Sequence, residues 1–250
     1  MSQDKFIQSE QSVAKCLAYK KKEGYFEIQD LIAEETPVAM VFNGISHAVM
    51  MATPQDLNDF ALGFSIAENI INSLEDMYAL EIHTTDNGIE LAISISTETF
   101  NRLKENRRSL IGRTGCGLCG TESLNQFKKI QELLTRNTSR TIFSSDNIIK
   151  ALSSFPENQM LQKQTGSTHA SALCSNNGDI LLTREDVGRH NALDKIIGAS
   201  SKMEYADFGE LFLITSSRAS YEMVQKAAKL NICLLVAISA PTALAVRLAD

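Results

Sequence analysis

From residue 171 onward the chain alternates short apolar runs with helix-period segments, and this rhythm limits its possible folds more than any other feature. Residues 171–174 and 180–183 predict a hairpin turned at Asn176-Asn177-Gly178. A helical segment follows through Val187, Leu193, Ile196 and Ile197. A strand is expected over 211–215, a helix over 221–229, a strand over 233–238 and a helix over 242–248, after Pro241. Alternation of this kind predicts a layered α/β domain, because strands buried on both faces need helices to cover them.

The first half has a different rhythm. Strands are expected over 25–28, 38–42 and 47–51, the last two joined by the tight-turn pair Asn43-Gly44. Thr53-Pro54-Gln55-Asp56 predicts a helix start, with Thr53 as cap. Leu57, Phe60, Ala61, Phe64 and Ala67 form its buried face, and Ile70 and Ile71 end it. Strands over 80–85 and 89–96 flank Asp86-Asn87-Gly88. In the second, Ile89, Leu91, Ile93 and Ile95 alternate with Glu90, Ala92, Ser94 and Ser96, the pattern of a half-buried antiparallel strand. Thr121 is expected to cap a helix bearing Leu124, Phe127, Ile130 and Leu134, and Ser145 one bearing Ile148, Ile149 and Leu152. The fold class is therefore α+β / α/β. A tail or edge strand (1–20) precedes a largely antiparallel α+β domain (21–135) and a three-layer α/β domain (136–250).

An apolar content of 44% and a charged content of 22% suit a globular chain, and a net charge of -6 argues against wholesale nucleic-acid binding. A local basic run remains: Arg102, Lys104, Arg107, Arg108 and Arg113 against Glu105, read as a solvated face or a dock for an acidic group. The polar N-terminus has no signal-peptide pattern, and no apolar run nears the ~18 residues of a membrane span. Five cysteines, odd in number and scattered, suit a reducing cytoplasm rather than a disulfide framework.

Two of those cysteines, Cys116 and Cys119, lie among glycines in Gly112-Arg113-Thr114-Gly115-Cys116-Gly117-Leu118-Cys119-Gly120. Glycines let this backbone bend and be approached closely. A zinc site would need a second ligand pair, and no other Cys-x-x-Cys exists; Cys16 is isolated, and Cys174 and Cys233 fall in expected strands as core residues. A thioredoxin-like pair would follow a βα unit near its domain start. The remaining reading is a nucleophilic or sulfur-carrying thiol. Arg113 and the start of the expected Thr121 helix would both lower a thiol pKa below the ~8.5 of a free cysteine.

Three further segments are dense in polar groups: 165–170 with His169, 184–195 with Arg189 and His190, and Thr215-Ser216-Ser217-Arg218. In the second, Asp186, His190, Asp194 and Lys195 could share helix faces. The third is expected between a strand's carboxyl end and a helix start, a favoured ligand crevice. Together they point to a phosphorylated or nucleotide-bearing ligand, with Arg189 and Arg218 as phosphate contacts.

Taken jointly, these segments resemble the formate dehydrogenase accessory sulfurtransferase family, the FdhD family. The resemblance is carried by Thr114-Gly115-Cys116-Gly117-Leu118-Cys119-Gly120, by 165–172 with His169-Ala170, and by Arg184-Glu185-Asp186-Val187-Gly188-Arg189-His190-Asn191-Ala192-Leu193-Asp194-Lys195. It continues through 216–218 with Tyr221-Glu222-Met223-Val224 and through Ile238-Ser239-Ala240-Pro241-Thr242. It implies a persulfide relay: sulfur accepted from a cysteine desulfurase and passed to a molybdenum cofactor, bis-molybdopterin guanine dinucleotide, for formate dehydrogenase. Cys116 would bear the persulfide and Cys119 assist. His169, Arg189, His190, Asn191, Asp194, Ser216 and Arg218 would bind the cofactor, with a guanine nucleotide as surrogate. A homodimer with a cytidine deaminase-like C-terminal domain is also implied, with no nucleic-acid or membrane partner. The deaminase zinc signature is missing: Asn191-Ala192 follows His190, and there is no Pro-Cys-x-x-Cys, so neither zinc nor deamination is expected. Ser167 stands where the family pattern has glycine, and that pattern runs past Asp250 with a strand and a basic, glycine-containing segment. A non-catalytic escort protein and a thiol–disulfide oxidoreductase are the alternative readings.

Overall fold

The computed structural model describes residues 12–21, 25–108, 141–203 and 208–249. Strands β1 (Val13–Lys21) and β2 (Tyr25–Ala33) pair as an antiparallel ribbon. A first four-stranded sheet has the order β4-β3-β6-β5, built from β3 (Thr36–Phe42), β4 (Ile45–Ala52), β5 (Met77–Thr85) and β6 (Gly88–Ile95). Asn43 and Gly44 turn the β3–β4 hairpin with φ of 45° and 80°, both left-handed as a tight turn between twisted strands requires. Ile89, Leu91, Ile93 and Ile95 are buried as their alternation predicted. Their strand is antiparallel to β5 but parallel to β3, so it lies inside a mixed sheet.

Helices α1 (Leu57–Ala67) and α2 (Thr97–Arg108) pack on this sheet through Phe60, Phe64, Phe100 and Leu103. The helical state of α2 escaped the sequence reading, which saw a basic run there; Arg102 and Lys104 are exposed, and Arg102 donates to the Ile70 carbonyl at 3.1 Å. The expected Thr53 cap is also corrected. Asp56 occupies the N-cap in a left-handed conformation with no side-chain cap bond, while Thr53 is buried and bonded to the second half of the chain. Helix α1 stops at Ala67, and Ile70 and Ile71 fold back into the core beyond it.

The second sheet has the order β10-β9-β7-β8, with β7 (His169–Ser175), β8 (Ile180–Asp186), β9 (Leu211–Arg218) and β10 (Leu235–Ser239). β7 is antiparallel to both neighbours, whereas β9 and β10 run parallel. Helices α5 (Arg189–Ser200) and α6 (Tyr221–Lys229) cover one face through Leu193, Ile196, Ile197 and Met223. Helix α3 (Ser145–Ser154) covers the other with Ala151, near Phe155 and Phe212. Ser144, one residue earlier than expected, caps α3 by accepting from the Asp146 N–H, and Ile149 faces outward. The short helix α4 (Met160–Thr165), absent from the sequence reading, leads into β7, and α7 (Ala243–Ala249) ends the described chain. Cys174 is buried as expected, but Cys233 is exposed, because β10 begins two residues after it.

Helices α1 and α5 lie back to back between the sheets. A Cβ on Gly63 would sit 1.7 Å from the Asp194 carbonyl oxygen, and one on Gly198 would sit 1.9 Å from that of Asp59. The two backbones touch because both contact positions lack side chains. No described helix is long and apolar enough to cross a membrane.

Candidate functional site: a cationic crevice above a buried ionic layer

The expected cysteine loop, with Arg113, Cys116 and Cys119, and the expected Thr121 helix with Leu124, Phe127, Ile130 and Leu134 lie outside the described residues. The other expected site residues fall within them, and most meet at one end of the second sheet. There β8 and β9 finish, β7 begins and α5 and α6 start, so backbone ends and helix N-termini converge.

His169 opens β7, and its Nδ1 lies 3.3 Å from Ser216 Oγ, which also accepts from the Ala170 N–H at 2.9 Å. Ser216 and Arg218 are still part of β9, so this polar run ends a strand rather than starting a helix; α6 begins at Tyr221. Burial, then the nearby Arg189 charge, lower the His169 pKa, opposed by Asp186. His190 lies on the first turn of α5, with Nε2 3.2 Å from Glu222 on α6. Burial is the main force holding it down to about 4; Glu222 pulls it up, while Arg189, Lys226 and Arg218 add to the lowering. Both imidazoles are therefore neutral at pH 7, and Arg189 and Arg218 carry the fixed positive charge. Arg218 is exposed. Arg189 Nε is buried with no hydrogen-bond partner among the described residues, and so is Ser220 Oγ at the start of α6. An unpaired buried donor is costly, and an anion would satisfy it.

Below this rim the charged groups are paired. Asn191 is buried, its Nδ2 donating to the Met51 carbonyl at 2.8 Å and to Asp186 Oδ1 at 2.9 Å. Asp194 is buried and accepts from Lys226 Nζ at 2.6 and 2.7 Å. Burial raises the Asp194 pKa to about 6 against the pull of Lys226; burial depresses Lys226, but Asp194 and Glu68 carry it above its ordinary value. Lys195 and Asp186 pair at 2.7 Å with no exposure on either. The expected helix face joining Asp186 to His190 and Asp194 does not form, because Asp186 ends β8 and α5 starts at Arg189. Glu222, Lys226 and Thr53 were missed as site groups. The Tyr221-Glu222-Met223-Val224 run was noticed, but only contact across α5 and α6 gives Glu222 its place. Among the described residues, no group of three or more His, Cys, Asp or Glu is arranged to hold a metal ion.

The chain is similar to proteins of one family. The sequence profile of the FdhD/NarQ family matches residues 33–250. The chain is 52% identical over 221 residues to the sulfur carrier protein FdhD of Cupriavidus necator, spanning 88% of this chain and 75% of that protein. It is 47% identical over 222 residues to the sulfur carrier protein FdhD of Acinetobacter baylyi, spanning 89% and 80%. A crystal structure from Desulfotalea psychrophila, assigned as a formate dehydrogenase accessory protein, superposes with a TM-score of 0.70 at 22% identity over 95% of this chain and 88% of that one, a likeness of fold alone. With the matched profile covering both sheets and the polar cluster at the starts of α5 and α6, the chain belongs to the FdhD/NarQ family.

Proposed function

We propose that this protein is a sulfur carrier that loads sulfur on Cys116 and docks its acceptor, the molybdenum bis-molybdopterin guanine dinucleotide, through the crevice. The observation that carries the docking half is the rim itself: Arg189 with its unpartnered Nε, Arg218, His169, His190 and Ser216 gathered at two helix N-termini. Such a rim suits the phosphates of a dinucleotide. The names of the closely similar relatives support the sulfur-carrying half.

In the loading step, the Cys116 thiolate attacks the outer sulfur of a cysteine desulfurase persulfide. A new S–S bond forms to Cys116, the old one breaks, and the desulfurase cysteine leaves as a thiolate; no net oxidation occurs. Cys119 assists in holding or releasing that sulfur. Asn191 and Asp194 contribute to ligand binding from beneath, by keeping the first turn of α5 in register. A guanine nucleotide alone is expected to occupy the same crevice. A formate dehydrogenase apoenzyme as recipient, a homodimeric assembly and a cytoplasmic setting complete the reading. So does a division near residue 135 into two domains, the second cytidine deaminase-like; the β7–β8 hairpin followed by the β9-α6-β10 crossover supports it.

Intact-protein mass spectrometry after incubation with an active desulfurase and cysteine tests the loading step. A gain of one sulfur mass, removed by reductant and absent in Cys116→Ala, is expected. No gain in the wild type would overturn the proposal.

A further inference from the structure

Adjacent residues on a strand point to opposite faces. At the end of β8 those residues are two carboxylates, Glu185 at 5% and Asp186 at 0% exposure, directly beneath a cationic rim. We infer that they are positioning residues, each pinning one of the two loops that present the rim to its ligand. The inference rests on reading the crevice as a guanine-nucleotide phosphate site and names what holds that site in shape.

Glu185 holds the first turn of α4 and, through it, the loop between α4 and β7. Its carboxylate accepts from the N–H groups of Leu161 at 2.8 Å and Gln162 at 2.7 Å, with Thr168 Oγ1 at 3.4 Å. Gln162 continues the chain of contacts, its Oε1 accepting the Thr168 N–H at 2.8 Å. The residue placed by this chain is the next one, His169.

Asp186 holds the loop before α5. Its Oδ1 accepts from the Gly188 N–H at 2.8 Å and from Asn191 Nδ2; its Oδ2 accepts from the Thr53 N–H at 3.0 Å and pairs with Lys195. Thr53 closes the ring, its Oγ1 accepting the Val187 N–H at 3.1 Å. The residues placed are Arg189 and His190. Gly188 leaves no slack, since a Cβ there would lie 2.8 Å from Asn191 Nδ2 and 3.4 Å from Asp186 Oδ1.

Buried and saturated, neither carboxylate is free to touch a ligand. A buried ion pair gains little net stability over an apolar pair of equal volume, and one use attested for such pairs is to fix a single geometry. Here the geometry fixed is the spacing between His169, opposite Asp186 across the β7–β8 ladder, and the first turn of α5.

The test uses the full chain with GDP as probe. Glu185→Gln and Asp186→Asn are each expected to weaken GDP binding about tenfold, the loss expected when hydrogen bonds to a charged group are removed. Phe155→Leu, a core truncation away from the crevice, should lower the melting temperature yet bind GDP as the wild type does. Amide exchange without ligand should rise at Val187 and Gly188 in Asp186→Asn, and at Leu161 and Gln162 in Glu185→Gln. If Asp186→Asn does not fold, Thr53→Val, which keeps the ion pair and removes the Val187 acceptor, carries the same expectation. Unchanged GDP affinity in these variants, or exchange rising evenly over the molecule, overturns the positioning role alone, provided Arg189→Ala has lost GDP. If the wild type does not bind GDP, or Arg189→Ala binds it equally well, the crevice reading falls and this inference with it.

Discussion

The two sheets are stabilised by different chemistry. The first is filled by Val38, Met40, Phe42, Phe60, Leu91 and Ile93, an apolar core of the kind that patterning alone specifies. Around the second, the interior also holds Glu185, Asp186, Asp194, Lys195 and Lys226, and Asp59 of α1 meets Arg184 of β8 at 2.7 Å. Burying charge is expensive, so its concentration beside one crevice needs a reason. The contrast within the second half supplies it: the deep charges are paired, and the rim just above retains Arg189 Nε and Ser220 Oγ without partners among the described residues. A rigid ionic floor holds an anion-binding rim in place, whereas the first sheet needs only to be solid.

This contrast can be broken most severely at its centre. Lys195→Met leaves the Asp186 carboxylate buried and unpaired, and should cost about 3–5 kcal/mol of stability by urea denaturation. A loss below about 1 kcal/mol would mean the floor is not the support described here. Next comes the seam. Gly63→Ala forces a methyl group against the Asp194 carbonyl and should cost about 3 kcal/mol by pushing α1 from α5; unchanged stability would mean the helices do not touch as described.

The rim titrates. His190 is held down to about 4, mainly by burial, below an unfolded value of about 6.5. Between those values this site binds more protons in the unfolded chain than in the folded one, so its contribution to stability is present above about 6.5 and is lost as pH falls toward 4. His169, also lowered, acts in the same direction. Burial raises Asp194 to about 6, which works the other way, so the histidine share is read by comparison: from pH 7 to pH 5, His190→Gln should lose less stability by urea midpoint than the wild type does. A bound phosphate favours the protonated rings, so GDP affinity should move oppositely and rise as pH falls; a pH-independent Kd would break the link between rim and ligand. The smallest effect is expected at an exposed pair. Lys150 and Asp179 meet at 2.6 Å with more than half of each side chain exposed, and Lys150→Ala should cost less than about 1 kcal/mol.

Much of this was legible in the sequence, for identifiable reasons. The β6 alternation, the Asn43-Gly44 turn and the bounds of α6 follow from local periodicity and turn chemistry, and they hold. His169, Ser216, Arg189 and His190 were named from polar density, and they converge. Long-range partners were not legible. Thr53 looks like a helix cap until Asp186 and Val187, more than 130 residues away, bond to it. Lys226 looks like a solvated helix residue until Asp194 meets it. The parallel pairing of β6 with β3 leaves no local mark either, since its alternation suits an antiparallel neighbour equally well.

The account separates a sulfur-loading thiol from a nucleotide-binding crevice, and one paired measurement tests that separation directly. Desulfurase-dependent sulfur loading by intact mass and GDP binding by calorimetry would both be measured on Cys116→Ala and on Arg189→Ala. The account predicts that Cys116→Ala loses sulfur and keeps GDP, and that Arg189→Ala keeps sulfur and loses GDP. Loss of both properties together in either folded variant would contradict it.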